Sequence, residues 1–136
     1  MRRSAGLLIS IVCSFCMFFC TSCQAPYKPP GQPLPDGFLI ACYPNSTCTK
    51  TDSTPLGNNQ TQQIVVLLTK DDVYRVMPWY KTELTMKGYM IMSDNDIART
   101  ITLEAQNDTT HVTITMSPIG DTDTVISISV RPKAKA

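Results

Sequence analysis

Apolar and polar residues alternate along the second half of the chain. In three stretches an apolar residue stands at every second position, and most of the intervening residues are Thr or Ser. This pattern predicts strands with one buried side and one side in water. The apolar positions are Ile101, Leu103 and Ala105, then Val112, Ile114 and Met116, and finally Ile126, Ile128 and Val130. Asn107–Asp108 and residues 118–123 supply the turns between these strands.

A helix is predicted before these strands, over Thr69–Lys87. Five apolar residues follow the helical spacing i, i+3, i+4, i+7 and i+11, and they are Val73, Val76, Met77, Tyr80 and Leu84. Thr69 or Asp71 is placed to cap the start of the helix, and Gly88 is placed to end it. Pro78 interrupts the pattern, so we expect a kink or two short helices.

Other segments complete the predicted sheet. Ile64–Leu68 is a continuous apolar run, which predicts a central strand buried on both faces or nearly so. Phe38–Cys42 and Tyr89–Met92 are candidate strands, whereas Tyr43–Gln63 is rich in turn-forming residues and predicts a long irregular loop. The predicted fold class is α+β with two layers, in which one principal helix packs on an antiparallel sheet of about five strands in the order strand, helix, meander.

The N-terminal residues differ in character from the rest of the chain. Arg2 and Arg3 precede an uncharged run of fifteen residues, Ala5–Phe19. That run is shorter than the ~20 residues that a membrane-spanning helix needs. A basic start, a short apolar run and then small residues are typical of an export signal.

Four cysteines lie within Cys13–Cys23, separated by two, three and two residues. A zinc or iron–sulfur site is the less favoured interpretation, because zinc ribbons separate their cysteine pairs by roughly 15–20 residues and the bacterial cluster pattern has different gaps and a following proline. We therefore predict no metal and no cofactor. Cys20-Thr-Ser-Cys23 instead resembles the lipobox of bacterial lipoproteins, although leucine is usual where Cys20 stands. The resemblance implies a signal peptide over residues 1–22, lipidation of Cys23 and, with Gln24 next, the outer membrane.

A proline-rich segment follows, with five prolines within Gln24–Gly37. Proline fixes φ and favours an extended chain, so this segment predicts a linker that would hold a domain roughly 40 Å from a membrane. Recognition of the prolines by an aromatic groove is the less favoured alternative. The predicted organisation is a signal peptide (1–22), a lipidated N-terminus and linker (23–37), a domain (38–131) and a basic tail (132–136).

The two cysteines of the predicted domain, Cys42 and Cys48, are six positions apart. In an exported chain such cysteines are plausible disulfide partners, and we predict that they are bridged. Two free thiols or a redox pair are the alternatives. Redox-active cysteines usually form C-x-x-C at a helix N-terminus, which differs from the pattern here.

The composition and the motifs of the chain give little indication of a catalytic, metal-binding or nucleic-acid-binding site. The 136-residue chain has 12 Lys and Arg against 11 Asp and Glu, so it has no basic excess and nucleic acid is not a predicted partner. His111 is the one histidine, and it stands at the start of a predicted strand. Asp94 and Asp96, and likewise Asp121 and Asp123, are interpreted as turn residues because neither pair continues into a calcium loop. We predict no enzymatic activity and no catalytic residue.

The predicted domain is similar to small bacterial envelope lipoproteins with a "YPGA … FY..L...GW" pattern. Tyr43-Pro44, Trp79-Tyr80 with Leu84, and Gly88-Tyr89 carry the likeness over about ninety residues. Trp79 stands where Phe is common and Tyr89 where Trp is common. The resemblance implies an accessory or assembly protein. Trp79 lies off the apolar stripe of the helix and is the candidate interface residue, the alternative being a side chain packed on the helix flank.

Together these patterns predict a non-enzymatic interaction or assembly module of the cell envelope. The membrane is contacted through the N-terminal lipid, and a protein partner in the envelope is expected, such as the rest of a larger envelope or secretion complex. A periplasmic small-ligand-binding domain or a hydrolase is the alternative, and it requires a polar pocket.

The lipid anchor is tested by Cys23→Ser. The thiol of Cys23 is the predicted acylation site, so the variant should lose radiolabelled palmitate and either remain unprocessed or leave the membrane fraction. Gel mobility, label incorporation and fractionation measure the three effects. Unchanged lipid labelling would exclude Cys23 as the acylated residue.

Overall fold

The computed structural model describes residues 27–134, so the predicted signal peptide and Cys23 lie outside the described residues. The fold is α+β with two layers, as predicted: one helix packs on one face of a six-stranded antiparallel sheet. The strands are β1 (Thr47–Gly57), β2 (Gln60–Thr69), β3 (Met90–Ile97), β4 (Thr100–Gln106), β5 (Thr110–Ile119) and β6 (Asp123–Pro132), and the helix is α1 (Val73–Met86). Across the sheet they lie in the order β1-β2-β6-β5-β4-β3. Within residues 27–134 no helix is long and apolar enough to cross a membrane.

The three alternating stretches form β4, β5 and β6, which confirms the prediction. Ile114 of β5 lies opposite Leu103 of β4 and Ile128 of β6. All three side chains are fully buried on the inner face of the sheet, which the helix and residues 27–46 cover. The Thr and Ser residues between the apolar positions lie on the opposite face of the sheet, which we call the outer face.

Helix α1 buries four residues of the predicted stripe, Val73, Val76, Tyr80 and Leu84, while the fifth, Met77, is partly buried against the core. The helix starts four residues after the predicted Thr69, which is the last residue of β2. Its N-cap is Asp72, and neither Thr69 nor Asp71; the Asp72 carboxylate accepts from the backbone N–H of Tyr74 at 2.9 Å. The helix is continuous through Pro78, and is not divided into two short helices. It ends at Met86 with Lys87 as its C-cap, and the next residue is the predicted stop Gly88, whose φ of +83° suits glycine.

The predicted loop over Tyr43–Gln63 is wrong, because most of it forms the β1–β2 hairpin. Asn58 and Asn59, the two residues at the tip, both have positive φ, as a tight type I′ hairpin turn requires. Strand β1 lies at the edge of the sheet and most of its side chains are exposed. Its sequence is therefore polar on both sides and has no apolar alternation that would reveal a strand.

The predicted linker is also wrong over its described residues, because the chain from Tyr27 to Ser46 packs on the domain. We call residues 27–46 the strap. The backbone N–H of Cys48 donates to the carbonyl oxygen of Pro30 at 2.8 Å, and that of Gln32 donates to the carbonyl oxygen of Cys48 at 2.9 Å. Pro29 is buried, and Leu34 packs against the core. The prolines thus fix an extended strap on the edge of β1 and do not make a free spacer.

The strap and α1 together cover one face of the sheet. Helix α1 contacts β3, β4 and β5, which form one half of the sheet. The strap lies over the other half, where the side-chain amide of Gln63 on β2 donates to the carbonyl oxygen of Asp36 at 2.8 Å. Ile40 and Cys42 of the strap are buried in the core. The segment Phe38–Cys42 was predicted as a strand and is irregular; Ile40 and Cys42 point inward, whereas Leu39 is exposed.

The strap approaches β1 so closely at Gly31 that a side chain there has no room. A Cβ on Gly31 would lie 2.2 Å from the carbonyl oxygen of Cys48, whereas a Cβ on Gly37 would meet nothing within 4 Å. Both glycines have positive φ, so alanine strains the backbone at either position.

Gly31→Ala should therefore lower the free energy of unfolding by about 1–3 kcal/mol more than Gly37→Ala, because only the first variant adds a steric clash to the backbone strain. Urea unfolding of both variants measures the difference. Equal losses would show that the strap is not packed on β1 at Gly31.

Candidate interaction surface

An aromatic cluster joins the strap to the helix. The ring of Trp79 lies edge-on to Tyr43 of the strap, with centroids 5.3 Å apart, and edge-on to Tyr80, with centroids 4.8 Å apart. Tyr80 is fully buried, while Trp79 is half-buried against the core. The structure therefore packs the candidate interface residue Trp79 on the flank of the helix that faces the strap.

Two hydrogen bonds fix this cluster. The backbone N–H of Tyr43 donates to the hydroxyl oxygen of Tyr80 at 3.1 Å, and the hydroxyl of Tyr43 donates to the Oδ2 atom of Asp71 at 2.8 Å. Burial, and then the bond to Asp71, raise the pKa of Tyr43 to about 12. Burial also raises the pKa of Tyr80 far above its ordinary value. Both hydroxyls stay protonated at neutral pH, so they hold the strap in place and are unsuited to act as bases.

Cys42 and Cys48 are not bonded to each other in the structure, which corrects the predicted disulfide. Both are free thiols buried in the same core cluster, and the Sγ of Cys48 lies 3.7 Å from the carbonyl oxygen of Lys50. Burial, and then the proximity of Cys48, raise the pKa of Cys42 to about 11. Burial also raises the pKa of Cys48. Because the thiolate is the reactive form, neither residue has the exposed, low-pKa environment of a redox-active cysteine.

The aspartates that resemble calcium ligands have other partners or lie in a turn, although Asp94 and Asp96 lie within β3 and not in the predicted turn. Asp94 accepts from the ammonium group of Lys81 on α1, whose hydrogen bond and charge lower the pKa of Asp94. Asp96 accepts from the hydroxyl of Tyr74 at 2.9 Å. Asp121 lies in the β5–β6 turn. No three His, Cys, Asp or Glu side chains are grouped to hold a metal ion anywhere in residues 27–134.

His111 stands apart from these carboxylates. It lies on the outer face of β5, opposite Arg131 of β6 and Gln106 of β4. Asp94 is on the other face, because it lies opposite the buried Leu103. The structure therefore does not bring the histidine and the Asp94–Asp96 pair into one pocket.

The outer face carries a feature that the sequence pattern concealed. Residues Val65 and Leu67 of β2 point into the core, as predicted, but the alternate residues of the same apolar run lie half-buried on the outer face. Together with Val125, which lies opposite Leu68 on β6, they form what we call the apolar strip. The strip consists of Ile64, Val66, Leu68 and Val125.

Beyond the strip the middle of the outer face is polar, and exposed apolar residues lie only near strand ends, such as Ile97 of β3 and Ile119 of β5. Val66 and Ile64 lie opposite Ser127 and Ser129 of β6, and the strands beyond present mostly Thr. An antiparallel sheet with one face in water normally carries polar residues at such positions. The four apolar side chains on β2 and β6 depart from that rule. The continuous apolar run of β2 places apolar residues on both faces of the sheet. It indicates this strip only when it is known that the outer face of β2 is not covered by another layer.

The space between the helix and the sheet is filled by side chains. Four of the five stripe residues of α1 are at most 1% exposed, Met77 is partly buried, and the sheet residues beneath them are buried. The cavities described in residues 27–134 include four clefts at the surface, of about 180 to 290 Å³. The largest of these four lies between the strap and Lys87 at the end of α1.

One comparison with known proteins finds a family. The START domain-like family model matches residues 49–125, more than half of the chain, from β1 through α1 to the first part of β6. No curated protein and no solved structure matches the chain.

Tyr80→Phe should destabilise the domain by about 1–3 kcal/mol, because it leaves the buried N–H of Tyr43 without an acceptor. Urea unfolding followed by the fluorescence of Trp79, the single tryptophan, measures the loss. Tyr74→Phe is the matched control: it removes only an exposed bond to Asp96 and should cost less than about 0.5 kcal/mol. Equal effects would contradict a structural role for the Tyr43–Tyr80 bond.

Proposed function

This chain belongs to the START domain-like family, and we propose that it is a non-enzymatic binding module, held on the bacterial cell envelope by a lipid on Cys23. Membership of this family favours binding of another molecule as the activity. The lipobox-like residues 20–23 support the anchor and its place in the envelope. The proposed partner is a protein that contacts the outer face of the sheet.

The apolar strip is the observation that carries this proposal. Each of its side chains is branched and apolar, and each is partly in water in the chain alone. Removing apolar surface from water is favourable by roughly 25 cal/mol per Å², so a partner that covers the strip gains binding free energy there. The hydroxyls of Ser127 and Ser129 lie beside the strip and can supply the polar rim that protein interfaces typically have.

The placement of the ionisable groups supports binding over catalysis. The hydroxyl of Tyr43 is bonded to Asp71, just before α1, and the carboxylates of Asp94 and Asp96 are bonded to α1 from β3. The thiols of Cys42 and Cys48 are buried and protonated. Each of these groups has a structural partner or a core position that accounts for its presence.

A small-ligand-binding domain is the second candidate, and the family match supports it directly. The interior beneath α1 is filled, so such a ligand would occupy a surface cleft. The cleft between the strap and Lys87, of about 290 Å³, is near the lower end of the size of ligand pockets.

The proposal is tested by site-specific crosslinking in the native cell. A photo-crosslinking amino acid in place of Val66 should give one discrete adduct with another protein after illumination, because this side chain is at the centre of the strip. The same amino acid in place of Thr102 is the matched control, since Thr102 is also on the outer face but two strands beyond β6, on β4. It should give little or no adduct, and immunoblotting with mass spectrometry identifies the products.

Equal labelling at both positions, or none at position 66, would contradict binding through the strip. An adduct with the mass of two copies of this chain would show that the strip binds a second copy of the chain and not a different protein.

A further inference from the structure

We propose that the domain rests on the bilayer through a surface formed by the strap and the end of α1. This strap surface consists of Tyr27, Lys28, Leu39 and Lys87, which line the cleft of about 290 Å³. The inference rests on the proposed lipid at Cys23 and deepens it, because it names the side of the domain that faces the membrane and the chemistry that meets the lipids.

The position of Tyr27 puts this surface beside the predicted anchor. Tyr27 follows Cys23 by four residues, which span at most about 14 Å when fully extended. The hydroxyl of Tyr27 donates to the carbonyl oxygen of Ser46 at 2.8 Å, and Pro29 is buried, so the strap joins the domain from its first described residues. A lipid on Cys23 then brings the domain against the membrane, in place of the roughly 40 Å separation that a free proline-rich linker would give.

The side chains of the strap surface match an anionic bilayer. Leu39 is 63% exposed and can enter the acyl boundary, and Tyr27 is a residue type that settles at the membrane–water interface. Lys28 and Lys87 are placed to meet anionic headgroups. Lys87 is also paired with Glu83 at 2.9 Å, which lowers the net positive charge of this surface, so the apolar contact and the nearby anchor carry much of the docking.

Exposed apolar surface continues from the strap onto the helix. Trp79, Glu83 and Met86 are spaced i, i+4 and i+7, so they share one flank of α1. That flank faces the strap, because Trp79 contacts Tyr43. Met86 is 78% exposed at the C-terminal end of this flank, next to Lys87. A bilayer is the occupant that the anchor places here, and it covers both Leu39 and Met86 without a shaped pocket.

Tryptophan quenching in vesicles tests the docking. The full chain, purified from membranes, carries Trp79→Phe so that one introduced tryptophan reports alone. Leu39→Trp is compared with Ile97→Trp, a matched control that is 73% exposed on β3, at the sheet edge farthest from β1 and the strap. Both are reconstituted in phosphatidylglycerol–phosphatidylethanolamine vesicles with brominated acyl chains. We expect about twofold quenching of Leu39→Trp relative to unbrominated lipid and almost none of Ile97→Trp.

The outcomes separate this inference from the proposed anchor. A chain that sediments with the vesicles but shows equal quenching at the two positions overturns the docking and leaves the anchor in place. A chain that stays in the supernatant overturns both. Thermal melting confirms that each variant is folded, and if Leu39→Trp does not melt near the parent temperature, Lys28→Trp on the same surface replaces it with the same expected quenching.

Discussion

The width of the sheet determines how much of its apolar face a single helix can cover. Six strands at about 4.8 Å spacing form a sheet roughly 25 Å wide, whereas a helix with its side chains is about 10–12 Å across. Helix α1 therefore covers β3, β4 and β5 and leaves the other half of the apolar face open. The strap fills that half with Ile40 and Cys42, and the Tyr43–Trp79–Tyr80 cluster joins it to the helix. Without the strap, the inner face of the strands that α1 does not contact would lose its cover.

The helix and the meander could be predicted because each has one buried side and one wet side. Periods of about 3.6 and of 2 in the sequence report such elements directly. Strand β1 could not be found in this way, since an edge strand with both sides exposed carries no apolar period. The strap was predicted as a free linker for a related reason. Its prolines favour an extended chain, but the local conformation does not show whether that chain is free or packs on a neighbouring strand. The structure records the contact in the backbone hydrogen bonds of Cys48 to Pro30 and Gln32 and in the lack of space for a side chain at Gly31.

The candidate surfaces were harder to predict than the fold. The run Ile64–Leu68 indicated a strand correctly, but the sequence does not say how many layers cover the sheet, so its outward residues could not be told from core residues. Trp79 lies off the apolar stripe as predicted, yet it is half-buried because the strap, and not solvent, lies beside that flank. The spacing of Cys42 and Cys48 likewise could not show that both thiols lie unbridged within the core.

The attachment of the strap has a consequence for the order of events as the protein is made. The residues from Tyr27 onward are hydrogen-bonded or packed on the folded domain, and Cys23 is only four residues away. A processing enzyme must hold several residues on either side of its cleavage site in an extended form. Where Cys23 is that site, maturation and folding compete for the same short stretch of chain. Export would then favour a folding order in which the hairpin, the helix and the meander form first. The strap would pack on the domain last, after the chain has been processed at Cys23.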